Sequence, residues 1–370
     1  VYVVLSLAMT WPLARELDSH LAGHYRHARV FQWNNWWVKQ ALLEGENPNY
    51  TRHLFYPGGV SLVSHNINWA SSLLSIPLDA LFGQTVAYKL LYLLTFWLRG
   101  FGMYLLVLHV TGRRDAAFLA GLIYAFFPYH ISGNWDGQLK LANIQWLPLF
   151  VLFLLRTVDR RRVWDALFTG LFFALASLDC WFFALFLGMW GLLWLAYSLI
   201  YERDKWRWKT VGLLCLAGAV ALPLMVPFLG PVVTGSMQGE LDYTLTYYAD
   251  VKSSDLLAFL LPSSAHPLWG ELVAPLYDRL QHWRPATLGY AALALALYAV
   301  IARFRRSLFW LLSGLFFAAL AAGTTLTVNG GQYPSVPTLY GALIRLFPTL
   351  RIVRQASRFN VMVALSLAVL

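Results

Sequence analysis

The sequence predicts an all-α membrane protein, a polytopic transmembrane helical bundle of about ten spans. Three observations carry that expectation. Apolar runs of roughly the twenty residues a helix needs to cross a bilayer recur along the 370-residue chain. Charged residues make up 12% of the chain and hydrophobic ones 59%, whereas a soluble domain carries about 25% charge. Basic residues collect in four short connections between the runs. The runs lack the period-two alternation of barrel strands, which excludes that class. The net charge of +10 would suit a nucleic-acid binder, but its placement between apolar runs assigns it to membrane topology, so no nucleic-acid partner is expected.

The expected spans are 1–13, 85–110, 115–132, 143–157, 163–178, 181–201, 210–229, 286–302, 307–324 and 358–370. Val1 and Leu370 both fall inside apolar runs, so the first and last spans read as truncated and the chain as a fragment. No cleavable signal peptide is evident. The four basic connections are "GRRD" (Arg113, Arg114), "RTVDRRR" (Arg156, Arg160, Arg161, Arg162), "ERDKWRWK" (Arg203, Lys205, Arg207, Lys209) and "RFRR" (Arg303, Arg305, Arg306). They hold 13 of the 28 Lys and Arg residues, and with these spans all four share one side, the cytoplasmic one by the positive-inside rule. Cys180 and Cys215 have no metal-binding spacing and read as small core residues.

The opposite, outer side receives the long loops 14–84, 133–142, 230–285 and 325–357. Within the first, "INWASSLLSIPLDALFG" (67–83) is apolar but would put the basic connections on opposite sides if it crossed. It is expected to lie in the interface, with Pro77 and Asp79 limiting its depth. The stretch "GHYRHARVFQWNNWWVKQALLEG" (23–45) reads as a second interface helix. Val30, Trp33, Trp37 and Ala41 recur at helical spacing, broadened by Val38 and Leu42, while Arg29, Gln32, Asn35 and Lys39 form the other stripe. Gly45, Asn47 and Pro48 stop it.

One span, a long outer loop with two interface helices, then a many-span bundle: this order resembles the GT-C superfamily of integral-membrane glycosyltransferases. Within it, the protein O-mannosyltransferase and aminoarabinose transferase type is the nearer likeness. The segments that carry the resemblance are "ARVFQWNNWWVKQALLEGENP", "FYPGGVSLVSHNINWASSLLSIPLDALFG" and "QTVAYKLLYLL" with Lys89. The stretches "GLIYAFFPYHISGNWDGQLKLANIQWLPLF", "LLAFLLPSSAHPLWG" and "LRIVRQASRFNVMVAL" resemble uncharacterised bacterial membrane proteins associated with it. The resemblance implies a GT-C-like fold in a prokaryotic cytoplasmic membrane. It also implies transfer of a sugar from a polyprenyl-phosphate lipid to an acceptor (glycan, lipid or protein) at the outer face, with a divalent metal ion as a conceivable cofactor. A first-loop carboxylate would act as base. Here "YRHARVF" has Arg26 and His27 where that acid is expected, which leaves Asp18 upstream and the imidazoles of His24 and His27 as candidates.

The second outer loop offers Asp136, in "GNWDGQLK", as first choice for the catalytic carboxylate, with Asp179 in "ASLDCWFF" beside it as a substrate-binding candidate. Arg351, Arg354 and Arg358, three and four apart, are expected to share a helical face that grips the donor's phosphate. Trp37 and Lys39 would line the rim of the site. Arg99, inside the span 85–110, is expected to face the bundle interior, since a charge at mid-bilayer costs about 2.5–3.5 kcal/mol. Two other readings use the same residues: a glycolipid transporter or flippase, and a non-catalytic GT-C-like membrane protein.

Overall fold

The computed structural model describes residues 1–23, 25–65, 67–135, 137–239, 252–264, 266, 268–280 and 286–370. It is a helical bundle. The chain opens with α1 (Tyr2–Met9), and the first loop then contains α2 (Tyr25–Glu44), a hairpin of β1 (Tyr50–Thr51) and β2 (Val60–Ser61), and α3 (Trp69–Phe82). Then come α4 (Gln84–Thr111), α5 (Arg114–Ala125), α6 (Pro128–Trp135), α7 (Leu139–Ala142), α8 (Trp146–Arg160), α9 (Val163–Asp179), α10 (Trp181–Tyr201) and α11 (Trp208–Met237). The remainder holds α12 (Gly270–Leu280), α13 (Tyr290–Ala321), a hairpin of β3 (Leu326–Val328) and β4 (Gly331–Tyr333), α14 (Leu339–Leu346) and α15 (Asn360–Val369).

Among the described residues, five helical segments are long and apolar enough to cross a membrane: Gln84–Thr111, Leu139–Arg160, Trp181–Tyr201, Trp208–Gly235 and Tyr290–Ala321. The expected span 163–178 is present as α9, and three other expected spans depart from the sequence reading for a local reason. The run 115–132 breaks after Ala125 into α5 and α6, because Pro128 has no N–H to continue the ladder and its ring disfavours helix just before it. The expected spans 286–302 and 307–324 are two helical pieces of α13 that meet at a kink at Arg303 (φ −141, ψ 43), within the basic "RFRR".

Small residues set how closely the helices pack, as in many membrane bundles. A Cβ on Gly121 of α5 would lie 2.6 Å from the Gly100 carbonyl of α4, and one on Gly170 of α9 would lie 2.3 Å from the Ala217 carbonyl of α11. Either change forces the paired backbones apart. The main core runs through α4, α5, α8, α10, α13 and α15, with Trp190, Phe317 and Phe359 wholly enclosed. A smaller core joins α2, α3 and α9 through Trp37, Val38, Trp69 and Leu178.

The four basic connections come together at one end of this bundle. Asp159, at the end of α8, accepts from His109 (3.2 Å), at the end of α4, and pairs with Lys205 (2.9 Å), after α10. Arg161 reaches the carbonyls of Asp204 and Lys205. Phe309, just past the Arg303 kink, packs on Tyr197 near the end of α10. The described parts of the first loop and of the segment 137–145 lie at the other end.

Candidate functional site

Helix α2 has the boundaries that its apolar spacing and Gly45 imply, but its polar stripe turns inward at Asn35 while Arg29 stays exposed. Asn34 and Asn35 are buried, and so is Trp37, whose indole donates to the Pro48 carbonyl (2.9 Å). Trp37 therefore packs in the α2–α3 core and is not an open headgroup anchor. Lys39 pairs with Asp79 (2.8 Å), tying α2 to α3 across their half-buried margin. The face is polar because its partner is polar. Asn34 donates to Asn68 (3.2 Å), Asn68 to Asn35 (3.4 Å), and Ser72 to Asn35 (3.0 Å). His65 donates through Nε2 to the side-chain oxygen Oδ1 of Asn34 (2.8 Å). Burial, helped by the positive charge of Lys140, holds its imidazole down at about 4, so it is neutral at pH 7.

This network continues into the bundle through Asp179. Its Oδ1 accepts from the Ser71 backbone N–H and hydroxyl (both 2.8 Å), and its Oδ2 from the Trp146 indole (2.7 Å). Asn143 in turn donates to the Ser71 hydroxyl (2.5 Å). Ser71 lies in the first turn of α3, whose own preceding residue, Asn68, provides no side-chain cap. A carboxylate 108 residues away in sequence thus satisfies one of the open N–H groups at the start of that helix. With three donors on its two oxygens, Asp179 acts as a staple between α3, α8 and α9.

Cys180 follows Asp179 and opens α10. Burial raises its thiol, while the charges of Lys140 and Arg358 act in the opposite direction. Lys140, on α7, is 8% exposed and stands 5.9 Å over the Phe31 ring. The Arg358 guanidinium lies 4.5 Å over Phe182 and donates to the Val353 carbonyl (2.5 Å).

The three arginines do not share a helical face. Pro348–Val353 and Ala356–Phe359 are separate 3-10 turns, and Arg354 between them has φ +57. The segment is held by Lys252, whose N–H donates to the Arg354 carbonyl (2.9 Å) and whose carbonyl accepts from Ala356 (3.1 Å). That pairing interrupts the helix and separates the side chains: Arg351 is exposed, Arg354 and Arg358 half-buried. Asp136 and His24 lie outside the described residues. Asp18 is exposed and His27 half-buried, at the start of the first loop. There the Lys89 amine donates to the Glu16 carbonyl, with the carboxylates of Glu16 and Asp18 close by. Arg99 is fully buried, as expected, 3.9 Å over Phe96. Among the described residues, no three His, Cys, Asp or Glu side chains converge as a metal site.

Sequence reasoning passed over Lys140, Asn143, Ser71 and His65. For Lys140 and Asn143, a lysine and three amides inside the apolar-flanked "GQLKLANIQW" were the available signal.

A bundle with basic turns at one end and a buried polar network under loops at the other defines a polytopic helical membrane protein. The chain belongs to the family described as 6-pyruvoyl-tetrahydropterin synthase related domain, membrane protein, whose model matches residues 71–271. Among solved structures it is similar to the archaeal oligosaccharyltransferase AglB from Archaeoglobus fulgidus, in complex with an inhibitory peptide and a dolichol-phosphate. The identity is 15% and the TM-score 0.45, over 100% of this chain and 49% of that one. The chain therefore spans about half the length of that structure. No curated protein matches the sequence.

Proposed function

We propose that the protein is a glycosyltransferase of the GT-C type that moves a sugar from a polyprenyl-phosphate lipid to an acceptor at the outer face of a prokaryotic cytoplasmic membrane. The observation that carries this reading is the gathering of the first loop, the segment 137–145 and Arg358 at the end of the bundle opposite the basic turns. By the positive-inside rule that end is the outer one.

In this reading a base removes the proton of an acceptor hydroxyl, the oxygen attacks the anomeric carbon, and the glycosidic bond to the lipid phosphate breaks with inversion. Asp136 is the preferred base, with Asp18, His27 and His24 as the others near the first two loops. The departing phosphate carries the growing negative charge and needs cations around it. Asp179, whose oxygens are committed to Ser71 and Trp146, positions α3 beside the site instead of touching the reacting atoms. Trp37 and Lys39 hold the rim through their packing and ion pair.

The test is to incubate purified full-length protein with defined polyprenyl-phosphate sugars and candidate acceptors. Consumption of donor with appearance of a glycosylated acceptor is the expected result, and it should be lost in Asp136→Asn. Intact donor recovered on the opposite leaflet of a vesicle, with no product, would make the protein a transporter instead.

A further inference from the structure

We infer that the paired starts of α9 and α11 form a binding surface for the headgroup of an anionic phospholipid, with Arg160, Arg162, Arg207 and Lys209 as its cations and Trp164 and Trp208 beside them. This surface belongs to the basic end of the bundle and is independent of the transferase reading.

Helices α9 and α11 run in the same direction, each from a basic turn toward the loop end. There α9 finishes in the contacts of Asp179 with Ser71 of α3, and Phe228 of α11 packs on Trp69 of α3 (4.9 Å). The two backbones touch where Gly170 faces the Ala217 carbonyl. Trp164 lies six residues before Gly170 and Trp208 nine before Ala217, so the two indoles start about 9 and 14 Å from that crossing. Arg161 joins the two turns. Its Nε donates to the Thr210 hydroxyl (3.3 Å), and its terminal nitrogen to the Lys205 carbonyl (3.3 Å).

The residues 156–165 and 202–210 hold eight Lys and Arg against four Asp and Glu. Asp159 and Glu202 pair with Lys205, Asp165 is buried, and Asp204 is exposed. Arg160, Arg162, Arg207 and Lys209 are exposed, and their side chains make no hydrogen bond or ion pair among the described residues. The other turns use their cations differently. Arg113 is taken by Asp115, and Arg203 donates to the Leu199 carbonyl (2.8 Å). In "RFRR" the aromatic residue is Phe304, which has no N–H to offer a headgroup.

The tryptophans point to lipid. Trp206 turns inward and donates to the Ser198 hydroxyl (3.1 Å), whereas Trp208 is 90% and Trp164 72% exposed. Open indoles next to basic residues suit the headgroup layer, where ring and N–H meet different surroundings. One turn further along each helix, Phe168 and Val211 are also exposed and offer a path for acyl chains. From Trp208 to Phe228 is 20 residues, about 30 Å of helix, which matches the hydrocarbon thickness. A phospholipid brings phosphate and chains together: the guanidinium forks and the lysine take the first, the apolar side chains the second.

Native mass spectrometry of the purified full-length protein in detergent tests this, with phosphatidylglycerol, phosphatidylcholine of the same chains, inorganic phosphate and polyglutamate as probes. Wild type is expected to bind phosphatidylglycerol at least about tenfold more tightly than phosphatidylcholine. Arg162→Gln with Lys209→Gln should lower phosphatidylglycerol affinity by about tenfold and leave phosphatidylcholine unchanged. Arg160→Gln with Arg207→Gln is an independent second pair with the same expectation. Arg162→Lys with Lys209→Arg should stay within about threefold of wild type, since the charge is kept. Arg113→Gln with Arg203→Gln removes as many charges from the same end and should also change affinity by less than about threefold. Equal affinity of wild type for the two lipids would overturn the surface, as would either Gln pair keeping the preference with a native melting temperature. A loss in the Arg113 and Arg203 pair as large as in the other two would leave only a count of charges and no site. Inorganic phosphate binding as tightly as phosphatidylglycerol, or polyglutamate displacing it, would overturn the lipid in favour of a free phosphate or an acidic protein.

Discussion

The two ends of the bundle use charge in opposite ways. At the basic end, ion pairs such as Lys205 with Asp159 and Glu202, or Arg113 with Asp115, lie at helix ends and are partly or largely open to water. At the loop end the network of α2, α3 and Asp179 is buried and made mostly of uncharged amides and hydroxyls that pair between helices. The first pattern orients a protein in a membrane, where the number of positive charges matters more than their placement. The second fixes geometry, since an unmade hydrogen bond in a dry interior costs far more than one at the surface. Substitutions should therefore be tolerated at one end and felt at the other.

The largest contrast is expected at Asp179. Replacing it by alanine strands the Ser71 N–H and hydroxyl and the Trp146 indole together, and should destabilise the protein by about 2–4 kcal/mol, with membrane hydrogen bonds at the lower end of that range. Thermal unfolding in detergent measures this. A melting temperature equal to wild type would mean that α3 is held by its apolar face alone.

His65 gives the next effect, through pH. Its folded-state value of about 4 lies below the ordinary 6.5, so the unfolded chain binds the proton more readily. Stability from this group is complete above pH 6.5 and is lost as pH falls toward 4, at up to about 1.4 kcal/mol per pH unit. Unfolding followed from pH 7.5 to 4.5 should show the slope in wild type and a flatter one in His65→Gln. Equal slopes would remove His65 from the buried network.

Lys39 stands between the two patterns, charged yet half-buried. Lys39→Ala should cost up to about 1 kcal/mol by breaking the pair with Asp79, and the loss should shrink in high salt. A cost comparable to that of Asp179→Ala would place it with the loop-end network.

The basic turns and much of the bundle were legible in the sequence because composition and run length are local properties. So were the bounds of α2, from the spacing of Trp33 and Trp37 and the stop at Gly45, and the burial of Arg99. What stayed hidden depends on long-range pairing. Nothing near Asn34 or Asn35 marks them as buried, because their partners are Asn68 and Ser72 on another helix. The cap on α3 comes from Asp179, and the break in the arginine face from Lys252, about a hundred residues before Arg354. Even spacing of three and four predicts a shared face only where the chain is helical, and there it is not.

The smallest effect should be at Lys205. Its amine reaches Asp159 at 2.9 Å and Glu202 at 3.1 Å, but all three side chains are about a third exposed, so water and salt screen the attraction. Lys205→Gln should change stability by less than about 0.5 kcal/mol, and orientation should survive because 12 of the 13 basic residues in the four turns remain. Accessibility labelling of cysteines introduced near Trp206 and Arg351 measures that orientation. Both sites labelling from the same face of the membrane, in wild type or variant, would erase the distinction between the ends on which the assignment of the loop end to the outer side depends.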